Sequence, residues 1–195
     1  VCFLNKKNYD KDFLNEVDNI SGGLLKSINK HPKYLNLKNG NFFEIPLAYG
    51  NGIESLIIVK LLKKSTKVAI RKVGAKLANL TEHNTITMFT SDAEVLTQVT
   101  FGFELHNYSF DKYKSLKIER VKKLNILSVE PEIFKKNYLE YSALIEGITL
   151  TRDLTNEPSN VLTTVKFASR LKSLRKLGLK IKILEEAELK KLGMN

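Results

Sequence analysis

The sequence predicts an α/β protein in three parts: a mixed-sheet N-terminal domain with flanking helices over residues 1–133, a linker helix and hinge over 134–158, and an incomplete second α/β domain over 159–195. Three observations predict it. Strand-like and helix-like apolar patterns alternate as far as Val129, the arrangement that lays helices against a sheet. Pro131 then separates that series from one long helical run. Beyond Pro158, a single alternating segment sits between two helical ones, and one strand alone satisfies neither its backbone nor its apolar face.

The elements follow in order. Val1 to Leu4 reads as a strand. From Phe13 to Lys30, Phe13, Val17, Ile20, Leu24 and Ile28 step by three or four and paint one helix face, with Ser21-Gly22-Gly23 as a bend or break in its middle. Phe42 to Leu47 and Ser55 to Leu61 read as strands, and Tyr49-Gly50-Asn51-Gly52 between them suits the turn of a hairpin. Ile70, Val73, Leu77 and Leu80 repeat at helical spacing, Thr85 to Phe89 is a β-branched and aromatic run, Leu96, Val99 and Phe103 mark another helix, and Leu124 to Val129 closes the sheet.

In the long helix, from about Phe134 to Thr155, Tyr141, Leu144, Ile145 and Ile148 share a stripe. Glu157-Pro158 ends it, because the residue before proline is pushed out of the α region. Thr163 or Thr164 can cap the next helix, whose inward face is Phe167, Leu171 and Leu174, with Gly178 as its stop. Leu179, Ile181 and Ile183 alternate with lysines as a half-buried strand. Glu185 and Glu186 open a last short helix that Lys190 and Lys191 close, the order the helix dipole favours.

Bulk composition narrows the function classes. Hydrophobic residues make up 43% and charged residues 27%, ordinary values for a folded domain. The longest apolar stretch, Leu56 to Leu62, is interrupted by Lys60 and falls far short of the roughly 20 residues that cross a bilayer, so no membrane partner is expected. The single cysteine, Cys2, cannot form an internal disulfide, and a reducing cytoplasm fits best. The chain opens directly on a strand without Met and reads as a segment cut at both ends. A net charge of +11 raises the question of nucleic acid, and weak nonspecific DNA binding by the N-terminal domain is the alternative function. Only five of the 32 basic residues are arginine, and the lysine and asparagine load is what AT-rich codons favour, so solvated surface is the simpler expectation.

The hinge carries the specific signal. Arg152-Asp153-Leu154-Thr155-Asn156-Glu157-Pro158-Ser159-Asn160-Val161-Leu162-Thr163, followed by Phe167-Ala168 and Lys191-Leu192-Gly193-Met194, resembles the segment of the leucyl (cytosol) aminopeptidase family that joins an N-terminal α/β domain to the catalytic domain. Ile20 to Leu25, Ser55 to Val59 and Tyr108 to Ser115 resemble further segments of that family, in the same order. Thr164 stands where the family commonly has proline, a change that weakens the first helical turn without altering the fold.

The resemblance implies a macro-domain-like N-terminal fold and, in the full-length enzyme, a cytoplasmic hexameric hydrolase. Such an enzyme removes N-terminal amino acids from peptides with two divalent ions, Mn or Zn. The family's segments for that chemistry, roughly V-G-K-G-x-T-F-D-T-G-G and N-T-D-A-E-G-R, do not occur here. The expectation is therefore a segment without catalytic, metal-binding or cofactor-binding residues, inactive alone and architectural in role. Ser91-Asp92-Ala93-Glu94 imitates the second motif but reads as a capped helix start. His31, His83 and His106 read as surface or loop histidines, and Cys2 as a small buried apolar residue. Arg152 and Asp153 read as a salt bridge fixing the hinge, and no glycine-rich phosphate loop is present for ADP-ribose.

Overall fold

In a computed structural model of the chain, the described residues are 2–4, 15, 18–19, 22–23, 27–47, 55–62, 64–116, 120–121 and 123–194. Among them five strands form one mixed sheet: β1 (Cys2–Leu4), β2 (Asn41–Pro46), β3 (Ser55–Lys60), β4 (Thr85–Thr90) and β5 (Lys123–Ser128), in the order β2-β3-β1-β4-β5. The expected hairpin is present as the antiparallel pair β2 and β3, registered from Asn41 opposite Lys60 to Pro46 opposite Ser55, with its turn residues 48–54 outside the described set. All other pairings are parallel. Cys2 lies opposite Ile58 on one side and Phe89 on the other, which makes the first strand the central one.

Alternation along β3 explains its position. Ile57, Val59 and Leu61 enter the main core, whereas Leu56 and Ile58 enter a smaller cluster with Ile28 and Phe89 on the other face. A strand buried on both faces needs apolar residues at successive positions, which Leu56-Ile57-Ile58-Val59 supplies.

Two helices cover the main-core face. Thr66 caps α2 (Lys67–Leu77; α1 is the short turn Pro32–Leu35), which buries Ile70, Val73, Gly74 and Leu77. Asp92 caps α3 (Ala93–Asn107), which is buried at Ala93 and at every position from Val95 to Phe103. Their backbones touch. A Cβ on Gly74 would lie 2.0 Å from the Val99 carbonyl oxygen, and one on Gly102 would lie 2.0 Å from that of Arg71, so both crossing positions exclude a side chain.

Most of the predicted Phe13–Lys30 helix lies outside the described residues. Gly22 and Gly23 take φ of +67° and +84° with their amides bonded back to Asn19 and Asp18, so the predicted interruption is a helix-ending turn, and the run closes on a 3₁₀ turn at Ile28–Lys30.

The long helix α4 (Pro131–Asn156) starts earlier than Phe134, because Pro131 occupies its first turn, where the missing N–H costs nothing. The chain divides into two compact units, 1–147 and 148–195. In the second, Thr163 accepts from the Lys166 amide to cap α5 (Thr164–Ser173), Gly178 at φ +85° stops the following 3₁₀ turn, and a Glu185/Glu188 capping box opens α6 (Glu186–Lys191). One expectation is corrected: residues 179–183 form no strand, because no other described strand offers them a ladder. None of the described residues from Ile148 to Met194 is buried, and Phe167, predicted to face inward, is 41% exposed.

Candidate functional site

Among the described residues, a connected set of polar side chains gathers where the first half of α4 meets α3. Arg71, one turn before Gly74 on α2, donates from Nε to Gln98 Oε1 at 2.6 Å, and its guanidinium lies 4.9 Å from the Phe101 ring centroid and 5.6 Å from that of Tyr141. The Gln98 amide donates to the Tyr141 hydroxyl at 2.6 Å and to Glu94 Oε1 at 3.1 Å. Glu94 in turn pairs with Lys67 at 2.9 Å, and the hydrogen bond to that carboxylate raises the lysine pKa above its ordinary value. Gln98 is fully buried, yet both ends of its amide are satisfied, which is the condition for a polar group to persist there.

A second anchor lies one turn earlier on α4. The Tyr138 hydroxyl donates to Glu104 Oε1 at 2.5 Å, and Phe134 stacks on Tyr138 while packing against the main core. Burial first, and then the bond to Glu104, hold the Tyr138 hydroxyl pKa well above the phenol range. The stripe that docks α4 is therefore Phe134, Tyr138 and Tyr141. Of the predicted stripe, Tyr141 is in this contact, Ile145 and Ile148 are half-buried, and Leu144 is 53% exposed. Hydrophobic periodicity favoured the aliphatic stripe, while the tyrosines that hold the helix do so through hydroxyls as well as rings.

At the hinge, Arg170 pairs with Glu157 at 3.0 Å, with the Glu157 side chain only 3% exposed. It ties α5 to the turn that follows α4. The other predicted positions fall in separate places. Asp92 accepts from the Glu94 and Val95 amides at 2.9 and 3.0 Å, so its carboxylate serves the helix start as expected. His31 accepts from the Lys33 amide to cap α1, and His106 bonds Asn79. His83 lies 3.0 Å from Glu44, a proximity that sequence spacing conceals because 38 residues separate them. Cys2 is on the central strand, its side chain outside the described set.

This arrangement holds a helix in place; it presents no activated nucleophile. The described residues do not gather the donor set of a two-ion peptidase centre. Among the described residues, Glu44, Glu82 and His83 are the one group of three metal-ligating side chains close together, and none gathers in residues 148–194.

The fold is that of an aminopeptidase N-terminal domain. A tomato leucine aminopeptidase variant superposes with a TM-score of 0.71 at 17% identity, over 98% of this chain and 42% of the other. The bottromycin maturation enzyme BotP, in complex with Mn, superposes at 0.67 and 21% identity, over 98% of this chain and 39% of its own. In sequence, a probable cytosol aminopeptidase of Dinoroseobacter shibae is 32% identical over 158 residues, 81% of this chain. The chain belongs to the leucyl (cytosol) aminopeptidase family. It spans 32% of the length of that Dinoroseobacter relative. No family model matches the chain. No helix among the described residues is long and apolar enough to cross a membrane. Nothing in these relatives supports the nucleic-acid reading.

Proposed function

We propose that this chain is the N-terminal, non-catalytic portion of a metal-dependent leucyl aminopeptidase and that its role is architectural. Residues 1–133 form the N-terminal α/β domain, 134–158 the linker helix and hinge, and 159–195 the opening of the catalytic domain. The full-length enzyme removes N-terminal amino acids from peptides in the cytoplasm, as a hexamer, with two Mn or Zn ions. The observation that carries this reading is the hinge: a helix anchored by Tyr138 and Tyr141 runs into Arg152-Asp153-Leu154-Thr155-Asn156-Glu157-Pro158, and Glu157 is fastened to α5 by Arg170. That is the joint of a protein in which one domain positions another.

Family membership supports the activity, and the Mn complex of BotP supports the metal. Leu144, exposed on the linker helix, supports packing between subunits there. The two ions supply a Lewis acid and an activated water when bound. The residues of this chain hold neither, and their part is to fix the helix and the turn from which the catalytic domain departs. The test is hydrolysis of leucine amide by the purified 195-residue chain with manganese present. The expected rate is that of buffer, and release of leucine overturns the reading.

A further inference from the structure

We propose that Glu44, Glu82 and His83 form a zinc site in the N-terminal unit, one that ties the edge strand of the sheet to the turn before β4. Strand alternation puts Glu44 on the same side of β2 as Phe42, which packs against the main core. After α2 the chain turns back at Leu80, whose carbonyl accepts from the His83 amide at 3.1 Å, and this turn offers Glu82 and His83 side by side. One ligand atom from each of the three residues lies within 4.8 Å of the others. Ligands about 2.0–2.2 Å from a tetrahedral zinc sit roughly 3.5 Å apart, so small side-chain rotations close this set on one ion.

Two further observations point to a cation. His83 Nε2 is shut off from solvent and lies 3.0 Å from Glu44 Oε1, in a contact whose geometry makes no hydrogen bond. Buried polar atoms are nearly always satisfied, and an ion between the two atoms would satisfy both. Charge agrees. Two carboxylates and a neutral imidazole carry −2, and among the described residues no lysine or arginine pairs with Glu44 or Glu82. One nitrogen and two oxygens suit Zn²⁺ better than Ca²⁺, which takes oxygen alone, and rank it above Mn²⁺. Glu82 is solvent-exposed, which gives the ion an entry path and leaves a fourth position for water.

The test is calorimetric titration of the chelator-treated 195-residue chain with zinc chloride and, separately, manganese chloride. Expected are one zinc per chain, weaker manganese binding, and a melting temperature raised by zinc. His83→Gln and the conservative surface change Glu82→Gln should each weaken zinc about tenfold or more, while His106→Gln should leave it unchanged. Far-UV circular dichroism identifies any variant that fails to fold, and Glu82→Gln then decides alone. The proposal is overturned if the parent chain takes up no zinc, if Glu82→Gln binds like the parent, or if folded His83→Gln does. Any of those results leaves a plain histidine–glutamate contact.

Discussion

From Ala93 to Phe103 only Glu94 escapes burial, whereas no described residue from Ile148 to Met194 is buried. The difference does not lie in apolar content, because the second region has Val165, Phe167, Leu177 and Leu192 to offer, all substantially exposed. It lies in partners. Helix α3 has a sheet beneath it, α2 across it at a backbone-to-backbone crossing, and the start of α4 against it. Residues 148–194 contribute helices and an unpaired extended segment, and nothing among them closes over those side chains. An amphipathic stripe is a request for burial; the tertiary neighbours decide whether it is met.

The sharpest way to break this contrast is at the crossing. Gly102→Ala drives a Cβ into the Arg71 carbonyl, where backbone on both sides prevents relaxation, and should cost about 3 kcal/mol in urea denaturation. Gly147→Ala faces open space within a helix and should add about 0.5–1 kcal/mol. Equal effects at the two glycines would mean that α2 and α3 do not meet as described. Next in size, Gln98→Leu strips Arg71 Nε and the Tyr141 hydroxyl of their amide and should cost about 2 kcal/mol, read by the same denaturation.

Tyr138→Phe should cost about 1 kcal/mol near neutrality and also change the alkaline limb. The folded protein retains the phenol proton more tightly than the unfolded chain does. The stabilisation is therefore complete below the ordinary phenol pKa of about 10 and is lost as pH rises from there toward the higher folded value. Denaturation midpoints across that range should fall less steeply in the variant than in the parent; parallel slopes would remove Tyr138 from the account. Smallest of all, Val165→Glu at a 77% exposed site should shift stability by no more than about 0.5 kcal/mol, and a larger loss would reveal a cover over α5.

Local signals were legible in the sequence. Thr163 as a cap, Gly178 as a stop, the hairpin flanking Tyr49–Gly52 and the helical spacing of Leu96, Val99 and Phe103 all depend on a few neighbouring residues, and the structure has each of them. Features set by distant chain were not. The alternation of Leu179, Ile181 and Ile183 promises a strand, but pairing needs a second strand in register, and the segment lacks one among the described residues. Gly74 and Gly102 read as weak points of helices until the crossing makes them obligatory. The tyrosine anchors of α4 depend on Gln98 and Glu104, and the nearness of Glu44 to His83 depends on where the α2–β4 turn comes to rest. No window of sequence contains both halves of such a contact.

The place of β1 has a consequence for synthesis. Cys2 leaves the ribosome long before Ile58 and longer still before Phe89, so the middle strand of the sheet is translated before either of the strands that flank it. For most of that interval its amides and carbonyls have only water, or the strand edge of another nascent chain, to bond with. Assembly of this unit is therefore paced by long-range closure, and overexpression should tax it through association of unfinished chains.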